Sequence, residues 1–168
     1  MAAIPQRILW AVGGLQLSPE HRVLEIGCGI GVSCAPICER LAGGRYHAID
    51  RSEKMIAAAR ARNAAWVAQG RAGFEVADAA SIDVSDAPFD RILAINVNLF
   101  WRQADATLER LRLSLAPEGR LHLAFEPPHA AQIADIAHAC MHGLSLYGFR
   151  SLVQRREDRY WCVQAAHR

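Results

Sequence analysis

Short apolar runs alternate with longer amphipathic runs along most of this 168-residue chain. The apolar runs predict five strands, at 22–26, 45–50, 73–77, 89–97 and 120–125. Strands that alternate with helices form a parallel sheet, because each helical crossover returns the chain to the same end of the sheet. We therefore predict an α/β fold of three layers, with a mostly parallel, doubly wound sheet covered by helices on both faces.

The amphipathic runs and the end of the chain complete this pattern. Helices are predicted at 33–41, 52–69, 103–115 and 130–146. Ser33 and Ser52 are candidate N-caps, and 117–119 is predicted as a turn. Residues 149–166 contain two strand-like runs around a polar turn at 155–158, which predicts an antiparallel hairpin.

Composition limits the classes of protein to which the chain can belong. The net charge of +2 is too small to indicate a nucleic-acid binder, and no apolar run approaches the ~20 residues that span a bilayer. The start lacks the features of a secretory signal, so we expect a cytoplasmic protein with one domain over 1–168. The five cysteines lack CxxC spacing, which favours free, buried thiols over a metal site.

The segment VLEIGCGIG, residues 23–31, places three glycines after the first predicted strand. The dinucleotide pattern GxGxxG needs its third glycine at Val32, one position later. Glu25 would also repel a pyrophosphate, which disfavours a nicotinamide-dependent oxidoreductase. S-adenosylmethionine has no phosphate and carries an ammonium and a sulfonium. We expect Glu25 near its ammonium and free backbone N–H groups of the loop near its carboxylate.

Residues that follow the next two strands agree with an adenosine ligand. Asp50 ends the second strand, where a carboxylate can accept hydrogen bonds from both ribose hydroxyls. Asp78 follows the third strand and could accept from the adenine amino group, although a helix cap or turn is an equal alternative. Met55 could pack on the adenine, or it could belong to the core.

Five segments, VLEIGCGIG, AIDRSEKMIAAAR, VADAA, FDRILAINV and LAPEGRLHL, together resemble the class I S-adenosylmethionine-dependent methyltransferases in order and spacing. The resemblance implies a Rossmann-like, seven-stranded sheet in the order 3-2-1-4-5-7-6 with strand 7 antiparallel. It also implies a cofactor site formed by Glu25, Gly27, Cys28, Gly29, Asp50, Arg51, Met55, Asp78, Ala79, Asn96 and Val97. Arg51 departs from the apolar residue common at its position, so we expect its stem on the adenine and its guanidinium in water.

The acceptor side gives weaker signals. After strand four the chain reads NVNLFW, without an NPPY-type motif, which leaves nucleic-acid and glutamine N-methylation unsupported. The substrate candidates are Asn98, Phe100 and Trp101, although helix packing is the alternative for the two aromatic residues. The candidate bases are Glu126 and His129, in FEPPH after strand five. For His129 the alternative is a surface or capping position.

Asp135, His138 and His142 share one stripe of the last predicted helix. Two histidines at this spacing with a carboxylate could bind zinc, but a solvated polar face predicts the same pattern. We favour the polar face and predict no metal.

These observations predict a methyltransferase with a small-molecule acceptor. A non-catalytic S-adenosylmethionine-binding partner or regulatory subunit is the alternative, because so short a chain has little material to cover a substrate. Residues 1–20 are expected to form a short helical lid, or a second subunit in a homodimer would complete the site.

Overall fold

The computed structural model describes residues 3–82, 88–102 and 105–166. A sheet in the order β3-β2-β1-β4-β5-β7-β6 forms its centre. The strands are Arg22–Ile26 (β1), Arg45–Asp50 (β2), Ala72–Val76 (β3), Phe89–Ile95 (β4), Leu115–Phe125 (β5), Arg150–Glu157 (β6) and Tyr160–Ala166 (β7). Strands β1 to β5 are parallel, and β7 is antiparallel to β5 and β6. The predicted fold class and strand order are confirmed.

Helices cover both faces of the sheet. They are Gln6–Gly13 (α1), Cys34–Cys38 (α2), Glu53–Arg62 (α3), Ala64–Ala68 (α4), Leu99–Arg102 (α5), Asp105–Ser114 (α6) and Gln132–Leu146 (α7), with a 3₁₀ turn at Ala79–Ser81. The first face packs against α1, α2 and α3, and the second face against α5, α6 and α7. Neighbouring residues such as Val23 and Leu24 are buried on opposite faces, which explains the continuous apolar runs of these strands.

The helix predicted over 52–69 is interrupted at Asn63, which separates α3 from α4. The buried amide Nδ2 of Asn63 donates hydrogen bonds to the carbonyls of Ala59 and Gly31, each at 2.9 Å. This side chain therefore closes the last turn of α3 and attaches it to the glycine loop. The start of the helix is as predicted, since Oγ of Ser52 accepts a hydrogen bond from the Met55 N–H.

Two predicted turns differ from the structure. Residues 117–119 form an irregularity inside β5, where Phe89 pairs with Leu115 but Arg91 pairs with Arg120. A Cβ on Gly119 would lie 2.7 Å from the Phe89 carbonyl oxygen, so this bulge needs a glycine. The terminal hairpin turns at 158–159 instead of 155–158, and the two arginines at 155–156 belong to β6.

Helix α1 lies along the first face and contacts the terminal hairpin. Trp10 packs on Tyr160 with ring centroids 5.4 Å apart, and its indole N–H donates to Glu157 at 2.7 Å. The guanidinium of Arg155 lies over the indole of Trp10, 4.1 Å from the ring centroid. The helix is thus part of the layer that covers the sheet, and its residues Arg7 and Trp10 lie near the end of β5.

The five cysteines are free and buried, as predicted. None of the helices within the described ranges is long and apolar enough to cross a membrane.

Candidate functional site

The glycine loop follows β1 at the edge of the sheet where the parallel strands end. Gly27, Gly29 and Gly31 have φ values of +69°, +54° and +68°, a region that favours glycine. A Cβ on Gly27 would lie 2.8 Å from Cγ2 of Val97, whereas a Cβ on Gly29 would meet no heavy atom within 4 Å. The loop is therefore packed at its start and open at Gly29.

Backbone N–H groups of this loop already have partners. Those of Gly27 and Cys28 donate to the Ile49 carbonyl at 2.8 and 3.1 Å, and that of Gly29 donates to Oδ2 of Asp50 at 2.9 Å. The expected free N–H groups are therefore absent at these three positions. The other Asp50 oxygen, Oδ1, accepts from the Ser52 N–H at 3.0 Å. Because a carboxylate oxygen can accept more than one hydrogen bond, the partly buried Asp50 can still accept from a ligand.

Glu25 lies beneath the loop and not at its mouth, which corrects the predicted position. Its side chain is 2% exposed, and Oε2 accepts hydrogen bonds from the Tyr46 hydroxyl at 2.5 Å and from the Ser33 hydroxyl. Ser33 consequently does not cap α2 with its side chain. Burial raises the pKa of Glu25 to about 7, although both hydrogen bonds act in the opposite direction.

Asp78 and Arg51 lie where β3 and β2 end. Oδ1 of Asp78 accepts from the Ala80 N–H at 2.8 Å and so caps the 3₁₀ turn, the turn alternative for this residue. Its Oδ2 lies 3.8 Å from Nη1 of Arg51, whose side chain is 82% exposed. Met55 is partly buried in the first turn of α3, and Ala79 is buried. This part of the edge therefore carries an exposed ion pair beside the partly buried Asp50.

The segment after β4 connects the glycine loop to the end of β5. Asn96 has a φ of +56°, which ends β4 at Ile95, earlier than predicted. Its Oδ1 accepts from the Glu126 N–H at 2.7 Å, so the ends of the two strands are joined. Val97 then packs against Gly27. Asn96 and Val97 thus lie beside the loop, as the resemblance implied for the cofactor site.

The three substrate candidates differ in their exposure to solvent. Phe100 is 1% exposed within the core of the second face, which is the helix-packing alternative for this residue. Asn98 is exposed and Trp101 partly so, and the Trp101 indole N–H donates to Oδ1 of Asn98 at 3.4 Å. The guanidinium of Arg102 lies 5.0 Å from the Trp101 ring centroid. Asn98 and Trp101 therefore remain together at the surface.

The two candidate bases have different surroundings. Glu126 lies between two guanidinium groups, with Oε2 3.6 Å from Arg7 of α1 and Oε1 3.1 Å from Arg159 of the hairpin turn. This carboxylate joins three parts of the chain and is only 18% exposed. His129 is exposed, and within the described ranges no hydrogen bond or ion pair involves its imidazole.

Asp135, His138 and His142 are exposed on α7, so the predicted polar face is confirmed. Within the described residues, no three His, Cys, Asp or Glu side chains converge on a position that could hold a metal ion.

A cavity of about 250 Å³ lies at the opposite edge of the sheet, where β1, β2 and β3 begin. Its lining includes Arg22, Arg45, His47, Arg71 and Phe89. Ligands of doubly wound sheets bind beyond the carboxyl ends of the strands, so this cavity is not the expected position for the chemistry.

Sequence reasoning missed the residues that support the loop from below. The sequence pattern indicates only that Tyr46 belongs to a strand and Asn63 to a long helix. A polar residue inside an otherwise buried run was the available signal, because a buried hydroxyl or amide needs a partner. The identity of each partner required the tertiary structure.

Taken together, the edge presents an open glycine, a carboxylate for hydroxyl groups and a buried acid beneath the loop. The N–H groups at 27, 28 and 29 already have partners, so they are open neither to a phosphate nor to the cofactor carboxylate for which free N–H groups were expected. This arrangement suits a phosphate-free nucleoside that carries positive charge.

Residues 23–119 match the family model described as a methyltransferase domain. The chain is 30% identical to methyltransferase GfsG of Streptomyces halstedii, over 77% of this chain and 46% of that protein. It is 34% identical to a protein-L-isoaspartate O-methyltransferase of Methylorubrum populi, over 74% of this chain and 54% of that protein. The chain thus spans about half the length of these curated relatives.

A solved structure is also similar. It is the magnesium protoporphyrin IX methyltransferase (ChlM) of Synechocystis with bound SAM, which superposes with a TM-score of 0.64 at 25% identity. The match covers 96% of this chain and 76% of that one.

Proposed function

The chain belongs to the methyltransferase domain family, whose cofactor is S-adenosylmethionine, and on that premise we propose that it transfers a methyl group to a small-molecule acceptor. The observation that carries the proposal is the Asp50 carboxylate, which contacts the glycine loop at its open position, Gly29.

The residues present fit this cofactor. Asp50 would accept hydrogen bonds from the two ribose hydroxyls, which are the strong, charge-assisted kind. Asp78 would accept from the adenine amino group, with Met55 and Ala79 beside the ring. Cys28, Asn96 and Val97 would border the methionine part. Glu25 would act from beneath the loop as a negative charge, without direct contact.

S-adenosylmethionine supplies a methyl group that its sulfonium already activates, so the protein has to contribute mainly orientation and exclusion of water. Asn98 and Trp101 are the residues proposed to orient the acceptor, because both are accessible beside the end of β4. Glu126 is held by Arg7 and Arg159 and is therefore assigned to binding these elements together. His129 is the remaining candidate for accepting a proton, as an exposed imidazole.

The proposed lid is limited to a small part of residues 1–20. Trp10 and Val12 of α1 are buried on the sheet, so the body of the helix stabilises the fold. Residues 3–5 and the first turn around Arg7 are the part that can border an acceptor. A truncation to residue 14 would remove buried core, and a substitution at Arg7 is the better probe.

The first experiment measures ligand-induced stability. S-adenosylhomocysteine at a hundred times its dissociation constant should add ~2.7 kcal/mol to the free energy of unfolding, which raises the melting temperature by several degrees. NAD should produce no shift, and Asp50→Asn should lose the shift while Glu118→Gln, at an exposed position on the β5 bulge, should keep it. A shift with NAD alone would overturn the proposal.

Turnover is tested separately. The protein is incubated with S-adenosylmethionine and a panel of small hydroxy, amino, thiol and carboxylic acid acceptors, and release of S-adenosylhomocysteine is measured. Turnover that depends on an acceptor and on Asp50 supports the proposal.

A non-catalytic S-adenosylmethionine-binding subunit is the second candidate, and the ion pairs that occupy Glu126 favour it. Cofactor binding without turnover across the panel, both alone and with a cell extract added, would select this alternative.

A further inference from the structure

The side chains of Glu25, Tyr46 and Ser33 form a closed hydrogen-bonded group beneath the glycine loop. The Tyr46 and Ser33 hydroxyls both donate to Oε2 of Glu25, and these two hydroxyls lie 3.4 Å from each other. All three side chains are buried, at 1–2% exposure. The Tyr46 ring also packs edge-on against Phe74, with centroids 5.9 Å apart.

Two of these three residues flank the glycine loop in the chain, so the hydrogen-bonded group fixes both ends of the loop. Glu25 precedes the loop by two residues, and Ser33 follows Gly31 by two residues. Tyr46 therefore attaches both ends of the loop to β2, while Asp50, at the end of the same strand, holds Gly29 in its middle. Strand β2 therefore holds the loop at two places, through Tyr46 beneath it and through Asp50 at Gly29.

Among the residues that the structure describes, the carboxylate of Glu25 has no positive partner. Its neighbours in the sheet are Ala48 and Leu93, both buried and apolar. The remaining groups around it are the two hydroxyls and the thiols of Cys28 and Cys34. A buried carboxylate with neutral donors only is held at a large desolvation cost unless it takes up a proton or gains a nearby positive charge.

Of these groups, Glu25 alone changes charge near neutral pH. Burial, together with the charges of Glu25 and Asp50, raises the pKa of Cys28 to about 12. The pKa of Cys34 is also raised, first by its hydrogen bond with Cys38 and then by burial. Burial raises the pKa of Tyr46 well above its ordinary value. The thiols and the phenol therefore stay protonated while Glu25 titrates.

We propose that Tyr46 is a positioning residue for the glycine loop, and that through its hydrogen bond to Glu25 it couples cofactor binding to release of a proton. The inference rests on the proposed function, since the ligand that would supply the missing positive charge is S-adenosylmethionine. S-adenosylhomocysteine has lost the sulfonium charge, so its binding should be coupled to Glu25 more weakly.

The test measures dissociation constants of both ligands by calorimetry between pH 5.5 and 8.5 for wild type, Tyr46→Phe and Glu25→Gln. The amino group of the ligand titrates in part of this range, so the informative quantity is the difference between each protein and Glu25→Gln. Tyr147→Phe, a partly buried tyrosine after α7, is the matched control.

In wild type, the affinity for S-adenosylmethionine should rise about tenfold or more with a midpoint near pH 7, and this rise should be absent in Glu25→Gln. Loss of one hydrogen bond to a charged group should move the midpoint upward by about one pH unit in Tyr46→Phe. Tyr147→Phe should match wild type. The rise with S-adenosylhomocysteine should be smaller.

A Tyr46→Phe midpoint equal to that of wild type would overturn the inference, as would equal pH dependence for the two ligands. Ser33→Ala, which removes the second donor, should shift the midpoint in the same direction, and it replaces Tyr46→Phe if that variant does not fold. Absence of binding by either ligand would instead refute the proposed function, so the two failures are distinguishable.

Discussion

The buried charge of Glu25 predicts how the stability of the ligand-free protein depends on pH. The unfolded chain releases the proton of this carboxyl near its ordinary pKa of 4.5, whereas burial raises the folded-state pKa to about 7. Between these values the folded state retains a proton that the unfolded state has lost. The free energy of unfolding contributed by Glu25 therefore falls as pH rises from about 4.5 to about 7, and it is constant above that.

The magnitude follows from the same shift. At about 1.4 kcal/mol per pKa unit, the shift corresponds to about 3 kcal/mol of lost stability across this window. In a chain of this length, that is ~6–12 °C in melting temperature.

Glu25→Gln replaces the titrating group by an amide of the same shape. Its carbonyl can accept from Tyr46, but its NH₂ needs an acceptor, which lowers stability by a similar amount at every pH. The test is therefore how the free energy of unfolding changes between pH 5 and pH 8, and not the constant difference between the two proteins.

Urea unfolding at intervals of pH should show wild type losing about 3 kcal/mol relative to Glu25→Gln as the pH rises. The control is Glu118→Gln, on the exposed bulge of β5, which should run parallel to wild type. Parallel curves for wild type and Glu25→Gln would refute the reasoning, because they would mean that Glu25 ionises alike in both states.

Four further predictions concern the edge of the sheet. Asp50→Asn should weaken the binding of S-adenosylhomocysteine, measured by calorimetry, at least tenfold more than Asp78→Asn does, because Asp78 also caps a turn and is half exposed. Equal losses of affinity would contradict the assignment of Asp50 to the ribose. Gly31→Ala should lower the free energy of unfolding by ~1–3 kcal/mol, because its φ is +68° and its Cβ would lie 2.7 Å from a buried amide; a neutral effect in urea unfolding would be inconsistent with that packing. Glu126→Gln should lower the free energy of unfolding by less than about 1 kcal/mol, because both arginine partners are well exposed to solvent, and the difference from wild type should shrink in 1 M NaCl. A larger loss that is insensitive to salt would contradict the ion-pair account. Once an acceptor is known, His129→Ala should slow turnover less than about a hundredfold, and a loss of a thousandfold with a vanished pH limb would identify His129 as an essential base.

The arrangement of strands and helices was predictable because it depends on local periodicity. The apolar runs and the cap at Ser52 report burial and hydrogen bonding within a few residues of the chain. The glycine loop and Asp50 were predictable for a related reason, since parallel strands bring their carboxyl ends to one edge whatever the details of packing. The order of the strands came from resemblance to a family, and the sheet has that order.

The environment of individual side chains depended on contacts between distant segments. Phe100 is core because α5 packs against the second face, and Asn63 interrupts a helix because Gly31 offers it a carbonyl. Glu126 became a connection between α1 and the hairpin because Arg7 and Arg159 meet there. The local pattern of apolar and polar residues does not predict contacts between segments that are far apart in the chain.

Glu25 shows the division most clearly. The amino-acid sequence alone determined that a carboxylate lies two residues ahead of a glycine loop, and this argued against a pyrophosphate ligand. Only the tertiary structure decided that this carboxylate is turned inward to Tyr46 and Ser33, away from water and from any described cation. The physical reason is that an ionisable side chain takes its charge state from the atoms around it, and those atoms come from a neighbouring strand and from the helix beyond the loop.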